Sequence, residues 1–198
     1  MLETRNKPYT TTLGLIRKNV HKKANILLQF EIDTIEFYFQ NSHLYFQNLI
    51  QKKSLIDKNE PFSEMDKVIG SFQYFRRSIL YELNAMIEHW LLIASSPYGE
   101  FFDNKNLKRT RTNSISIIEK KYSLELKNMQ GYDEVEIIKN SVNGLKHRGG
   151  FNFTDYSLGI PEFRSINDDI EHIKKLKNQS TVFIIELINT IINIEHKY

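Results

Sequence analysis

At 198 residues, the chain is long enough to form one domain with a sizeable hydrophobic core. With 8 glycines, 4 prolines and 12% aromatic residues, its composition argues against disorder. Cysteine is absent, which excludes disulfides and thiolate metal sites and fits the reducing cytoplasm that we expect as its location. The net charge of +3 is compatible with a nucleic-acid partner but is too small to imply one.

The sequence contains no pattern that is typical of a membrane span or a secretory signal. Residues 1–19 lack the continuous apolar segment of a signal peptide. The longest apolar runs, such as residues 182–185, are broken by Glu186 and Asn189 and are too short to cross a bilayer. We therefore expect no membrane association.

The first half of the chain predicts two long helices. Residues 1–18 are expected to form an irregular basic lead-in. Residues 20–53 predict a helix because apolar residues recur there at three-, four- and seven-residue spacings, at Leu28, Ile32, Ile35, Phe39, Phe46 and Leu49. Residues 54–63 predict a turn. Residues 64–95 predict the second helix, with Ser63 as its N-cap and with Pro97 and Gly99 at its end.

The second half predicts shorter helices and one more long helix. Residues 97–112 form a polar connector whose cations are interpreted as solvated, with phosphate contact as the alternative: Lys105, Lys108, Arg109 and Arg111. Asn113 is the expected N-cap of a helix that reaches Tyr122, and Asp133 of a helix over residues 133–148. Residues 149–165 predict a loop, with a candidate extended piece at 151–154. Residues 167–196 predict the last helix.

This pattern predicts an all-α fold, an antiparallel bundle of four to six helices of which two or three are long. Residues 1–198 are expected to form a single domain. The aromatic residues at 37–39 and 45–46 have helical spacing, which favours core or dimer surface over a base-stacking platform. Glu82 and His89 lie off the apolar stripe of the second helix, which indicates a polar contact within or between helices, and could face the helix at 133–148.

The most informative segment is residues 143–150, Asn-Gly-Leu-Lys-His-Arg-Gly-Gly. On a helical wheel, one side of this predicted helix is apolar, with Val135, Ile138, Val142 and Leu145. Another side carries hydrogen-bonding residues, with Glu136, Asn140, Asn143 and His147. Lys139 and Lys146 lie between the two sides. The segment is therefore a candidate anion site.

Two interpretations of this segment remain open. The partial negative charge at a helix C-terminus favours Lys146, Arg148 and a protonated His147 whether they bind a ligand or simply cap the helix before Gly149. Gly144 weakens a helix interior by about 1 kcal/mol relative to alanine. Gly144 indicates one of two situations: another backbone or a ligand approaches the helix closely there, or the position merely faces solvent.

The order of helices, with one that ends in Asn-x-x-Lys-His-Arg-Gly, resembles the HEPN-like superfamily of small helical bundles. The resemblance covers about residues 20–196 as a helix pattern, and only residues 143–149 as a motif. It implies a homodimer in which two such helices meet and form one composite ribonuclease site without metal. In that site a histidine acts in proton transfer and an arginine holds the scissile phosphate.

Carried over to this chain, the resemblance matches His147 to the family histidine. The arginine is expected with about four to six residues between it and the histidine, but residues 140–142 contain none. Lys139 is the nearest earlier basic residue of the helix besides Lys146, with seven residues between it and His147, and Arg148 follows the histidine instead of preceding it. Some family branches carry an Asn-x-x-Lys-His pattern and resemble this chain more closely.

Two hypotheses follow. In the first, the chain is a metal-independent, cofactor-free ribonuclease whose candidate catalytic residues are Asn143, Lys146, His147 and Arg148, with Lys139 and Asn140 binding the substrate. In the second, it is a non-catalytic HEPN-like module that binds RNA, a nucleotide or a partner protein, in a defence or toxin–antitoxin setting where the partner is an antitoxin. The absence of arginine at the family spacing favours the second.

Overall fold

The computed structural model describes residues 7–53, 63–95, 110–147 and 163–195. Within these ranges the chain forms five α-helices and a short 3-10 turn at Leu126–Asn128, and no strand. The helices are α1 (Lys7–Lys53), α2 (Ser63–Ser95), α3 (Arg111–Tyr122), α4 (Tyr132–His147) and α5 (Phe163–Glu195). The predicted all-α bundle, with three long helices, is confirmed.

Helices α1 and α2 pack antiparallel over the part of α1 from Glu31 to Phe46. Near one end, the rings of Phe46 and Phe72 lie 5.3 Å apart. Near the other, the indole Nε1–H of Trp90 donates a hydrogen bond of 2.7 Å to Glu31. Because residue numbers rise along α1 as they fall along α2, the two helices run in opposite directions.

Helices α4 and α5 are also antiparallel. The amide of Gln130, just before α4, donates to Glu186, and further along α4 the carboxylate of Glu134 pairs with Lys175 at 3.0 Å. Both α1 and α4 pack against α2 and α5, but they share no extensive contact with each other. Helices α1 and α4 therefore lie on opposite sides of the α2–α5 pair.

The apolar stripes predicted for the long helices form one shared core. From α1 the buried apolar residues are Ala24, Leu28, Ile35, Phe39 and Phe46, while Ile32 and Leu49 are partly buried and pack against them. From α2 and α5 the fully buried residues include Phe72, Ile79, Leu83, Met86, Trp90, Ile170, Ile173, Leu176, Phe183 and Leu187. Burial of these apolar side chains is the main force that holds the helices together.

Helices α1 and α5 begin several residues earlier than the sequence predicts. Helix α1 starts at Lys7, so the prediction of an irregular lead-in was wrong for residues 7–18. The reason is that Pro8 falls in the first turn, where its missing N–H has no helical partner to lose, and Gly14 alone costs too little to stop the helix. Helix α5 starts at Phe163, two residues after Pro161.

The start of α3 was also predicted wrongly. The N-cap is Thr110, in extended conformation, and its hydroxyl accepts a hydrogen bond of 3.3 Å from the amide of Asn113. Asn113 is therefore the third residue of the helix, where its amide needs the cap that Thr110 provides. The end of α3 at Tyr122 agrees with the prediction, and Ser123 follows it in the left-handed conformation at φ 53°.

Several predictions concern parts of the chain outside the described residues. They include the turn at 54–62, most of the connector at 97–109 and the extended piece at 151–154. Among the helices that are described, none combines the length and the apolar character needed to cross a membrane.

Candidate functional site on helix α4

Helix α4 is placed by a turn that requires glycine. Gly131 has a φ of +81°, which side chains with a Cβ rarely adopt. A Cβ at this position would lie 2.1 Å from the carbonyl oxygen of Gln179 on α5. Helix α4 starts at Tyr132, and Asp133, predicted as its N-cap, lies in its first turn, where a carboxylate is favoured by the helix dipole.

The predicted apolar side of α4 is confirmed, and the predicted polar side is confirmed in part. Val135, Ile138 and Val142 are buried, and Leu145 is partly buried against the same core. On the polar side, Asn140 and Asn143 are exposed and Glu136 is partly buried; Lys146, predicted to lie between the two sides, is also exposed. His147 is the last residue of α4; its side chain and all of Arg148 lie outside the described residues.

The exposed polar residues cluster toward the C-terminal end of α4. With a rise of about 1.5 Å per residue, Asn143 lies about 6 Å from His147 along the axis, and Asn140 about 10 Å. Lys146 is adjacent to His147 in the chain. Within the described part of the structure, Asn140, Asn143 and Lys146 make no hydrogen bond or ion pair with other side chains, so their polar groups are open to solvent.

Gly144 leaves free space on this helix. Among the described residues, no atom beyond the helix's own backbone lies within 4 Å of the position that a Cβ would take. Close approach of another described segment therefore does not explain the glycine. A ligand or solvent at this position remains consistent with the arrangement.

Lys139 is separated from the cluster by an ion pair. Its Nζ lies 2.6 Å from a carboxylate oxygen of Glu136, one turn toward the N-terminus. Along the axis it is about 12 Å from His147. Lys139, which was predicted to bind the substrate, is therefore engaged with a carboxylate and does not form one group with Asn143 and Lys146.

Arg111, interpreted from sequence as a solvated connector residue, is buried. Its side chain is only 7% exposed, and its Nη2 donates to the carbonyl of Val135 and to the carboxylate of Glu136, each at 3.1 Å. Burial lowers the pKa of Arg111, while the nearby carboxylates of Glu136 and Glu88 oppose that shift. The solvated interpretation was wrong because Arg111 is the first residue of α3 and points toward α4.

Arg111 belongs to a polar cluster between α2, α3 and α4. The amide of Asn84 donates a 2.9 Å hydrogen bond to Glu88, whose charge acts on Arg111. Arg111 Nε and Nη1 and the buried carbonyl oxygen of Asn84 have no hydrogen-bond partner among the described groups. Arg111 and Lys139 balance the charges of Glu88 and Glu136, so the cluster has no excess positive charge to attract an anion.

The remaining sequence signals lie elsewhere in the bundle. His89 Nδ1 is 3.5 Å from the carboxylate of Glu31 on α1, which makes the polar contact of His89 interhelical and directs it to α1, not to α4. Glu82 is exposed. In the aromatic run, Phe39 and Phe46 are core residues, as one of the two interpretations predicted. In the described part of the chain, no group of three or more acidic or histidine side chains is placed to hold a metal ion.

Comparison of the chain with known protein families, with curated proteins and with solved structures finds no match. The resemblance to HEPN-like proteins therefore depends on the order of the helices and on residues 143–149 alone.

Proposed function

We propose that this chain is a HEPN-like helical protein that binds RNA at the C-terminal end of α4 and cleaves it without metal. The observation that carries the proposal is the exposure of Asn140 and Asn143 on the side of α4 that leads to His147, with Lys146 also exposed near the end of the helix. Amide and ammonium groups that have no partner among the described residues can contact a phosphate.

The proposed chemistry is intramolecular transfer at phosphorus. His147, as general base, takes the proton of a ribose 2′-hydroxyl, whose oxygen attacks the adjacent phosphorus. The His147 imidazolium formed in this way acts as general acid and gives its proton to the 5′-oxygen, whose bond to phosphorus breaks. Lys146 and Arg148 stabilise the negative charge that develops on the phosphate oxygens. Asn143 and Asn140 orient the phosphate. The products are a 2′,3′-cyclic phosphate and a free 5′-hydroxyl.

The test is cleavage of a mixed RNA pool by the purified full chain in the presence of EDTA. His147→Ala is compared with His172→Ala, which removes an exposed histidine on α5. We expect the first variant to lose at least about 100-fold in rate, because general acid–base catalysis contributes that much or more, and the second to cleave like wild type. Circular dichroism of both variants establishes that the fold is intact. Cleavage by His147→Ala at the wild-type rate would contradict the proposal.

A second function is favoured by the state of Lys139. Lys139 is the cation nearest to the position where the family carries arginine, and it is held in an ion pair with Glu136. A chain without that arginine fits a binding module for RNA, a nucleotide or a protein such as an antitoxin, as part of a cytoplasmic homodimer.

This alternative predicts that neither wild type nor His147→Ala cleaves RNA. Both proteins should still bind RNA in a filter-binding assay, with an affinity that falls as the salt concentration rises. Lys146→Gln should then weaken RNA binding, whereas Lys120→Gln, at an exposed position of α3, should not. Equal RNA affinity of the two lysine variants would show that α4 is not the RNA-binding surface.

A further inference from the structure

Helix α1 is apolar on two opposite sides, although only one side is covered by the other described helices. Opposite its buried stripe lies a second stripe, which we call the outer face of α1. It consists of Ile26, Leu27, Phe30, Phe37, Leu44 and Tyr45. Phe30 and Phe37 are 70% and 73% exposed. A helix on the surface of a globular protein is usually apolar on one side only, so the outer face is unusual for a solvated surface.

The outer face is large enough for a stable interface. Its residues extend over about 28 Å of helix. A fully exposed aromatic side chain presents about 150–250 Å², so the six residues together present roughly 500–700 Å² of mostly apolar surface. That range overlaps the upper part of the roughly 300–600 Å² that the largest patch on a typical monomer presents, and extends beyond it. With a polar rim it approaches the roughly 800 Å² that each partner buries in a standard complex.

The charges on α1 indicate which partner fits. Between residues 24 and 51 the sequence contains no lysine or arginine. Two of its three acidic residues are already paired, Glu31 with Trp90 and Glu36 with Lys177. Without cations, this face has nothing to attract a nucleic-acid phosphate or an anionic lipid. Depletion of charge together with exposed aromatic residues is the composition of a protein–protein interface core.

The central residues of the outer face are placed symmetrically about Phe37. Phe30 and Leu44 each lie seven residues from Phe37. In an antiparallel pair of α1 helices, Phe37 would meet its own copy and Phe30 would meet Leu44 of the second copy, whereas Ile26, Leu27 and Tyr45 would lie opposite Asn48, Gln47 and Gln29. The acidic residue on this side, Asp33, would then lie opposite Asn41, so no like charges would meet. Self-complementarity of this kind is what a two-fold interface requires.

We propose that the outer face of α1 binds a second copy of this chain, antiparallel, around a two-fold axis at Phe37. This inference does not depend on the proposed nuclease activity. Because α1 and α4 lie on opposite sides of the α2–α5 pair, such a dimer holds its two α4 ends apart. Each copy then carries its own α4 site, unlike the composite site that the family resemblance implies.

The first test is the mass of the full chain in solution by sedimentation equilibrium over micromolar concentrations. We expect a dimer for wild type and a monomer for Phe37→Glu, because the substitution places two carboxylates at the two-fold axis. Ile137→Glu is the matched control, since Ile137 is an exposed apolar residue on α4 at 42% exposure. It should remain a dimer. Circular dichroism shows whether each variant is folded. A monomeric wild type, or a folded Phe37→Glu that still dimerises, would overturn the proposal.

A second test uses the absence of cysteine from the natural sequence. Phe37→Cys should form a disulfide with its own copy on mild oxidation, because the two residues meet at the axis. Phe30→Cys alone should not, since its copies would be about 21 Å apart along the helix. A mixture of Phe30→Cys and Leu44→Cys chains should form the mixed disulfide. Cross-linking of Phe30→Cys to itself, or none at Phe37→Cys, would contradict the antiparallel arrangement.

Discussion

Arg111 connects α3 to α4 through a single guanidinium group. It donates to a backbone carbonyl of α4 and to the Glu136 carboxylate, whose other oxygen binds Lys139. A cation in the first turn of a helix is opposed by the helix dipole, so Arg111 needs these acceptors to occupy its position. Its role is therefore to hold the N-terminal half of α4 in place, about 16 Å from the end that carries His147.

A double-mutant cycle tests this role. Arg111→Met keeps a long apolar stem and removes the two hydrogen bonds; we expect it to lower the free energy of unfolding by about 1–3 kcal/mol. Glu136→Gln should cost less, because Glu136 is partly exposed. The double variant should lose less than the two single losses added together, because the pair acts as a unit. Urea denaturation gives all three values, and a coupling energy near zero would show that the pair does not hold α4.

The buried position of Arg111 could not be predicted from the sequence, for a physical reason. Four cations stand close together between residues 105 and 111, and surface lysine and arginine are the norm. What distinguishes Arg111 is the carboxylate of Glu136, which follows 25 residues later and meets it only after α3 and α4 have packed. A pairing of that range is not visible in local spacing.

At the scale of elements, two glycines of α4 and its entry turn have opposite surroundings. Gly131 adopts positive φ and lies against the backbone of α5, while Gly144 has open space where a side chain would be. The first glycine is required by geometry. The second only lowers the stability of the helix interior, unless a ligand approaches the backbone there.

The same substitution at the two positions should therefore act in opposite directions. Gly131→Ala should lower the free energy of unfolding by more than about 2 kcal/mol, because it adds strain at positive φ and a clash with Gln179. Gly144→Ala should raise it by up to about 1 kcal/mol. Thermal and urea unfolding measure both effects. Equal destabilisation by the two variants would mean that the space beside Gly144 is filled in solution.

Helix interiors could be predicted from the sequence because burial of one apolar side imposes a spacing that survives in the chain. The stripes of α1, α2, α4 and α5 all face the core as expected. Helix starts were harder to predict. The start of α3 depends on which side-chain oxygen accepts a hydrogen bond from an unpaired backbone amide, and both Thr110 and Asn113 are residue types that can do so. For the candidate site, the sequence correctly placed Asn140 and Asn143 on an exposed side, with Lys146 between the two sides, but the pairing of Lys139 with Glu136 depends on side-chain geometry.

At the scale of the whole molecule, α1 is held to the bundle by charged contacts as well as by its apolar inner side. Lys177 of α5, buried in the core, pairs with Glu36 and lies 5.6 Å from the centre of the Phe39 ring. Glu31 receives contacts from both His89 and Trp90 of α2. These contacts fix the rotation of α1 about its axis, and with it the direction in which the outer face points.

The pKa values of both glutamates link this arrangement to pH. Hydrogen bonds from Lys177 and Gln40 lower the pKa of Glu36. Burial raises the pKa of Glu31, but the contacts from His89 and Trp90 outweigh it and leave that pKa lowered as well. A carboxyl group whose pKa is lower in the folded state stabilises the fold above its unfolded pKa, about 4.5, and loses that contribution as pH falls through the folded pKa.

We therefore expect the free energy of unfolding to fall as the pH is lowered below about 4.5, and Glu36→Gln to reduce that slope. At pH 7 the variant should lose about 1 kcal/mol, a modest value because the Glu36 side chain is 42% exposed and screened by solvent. Below the folded pKa the variant and wild type should converge. Glu82→Gln, at an exposed position of α2, is the control and should keep the wild-type slope. Urea unfolding at a series of pH values measures these differences; parallel curves for wild type and Glu36→Gln would show that the Glu36–Lys177 pair does not hold α1 in place.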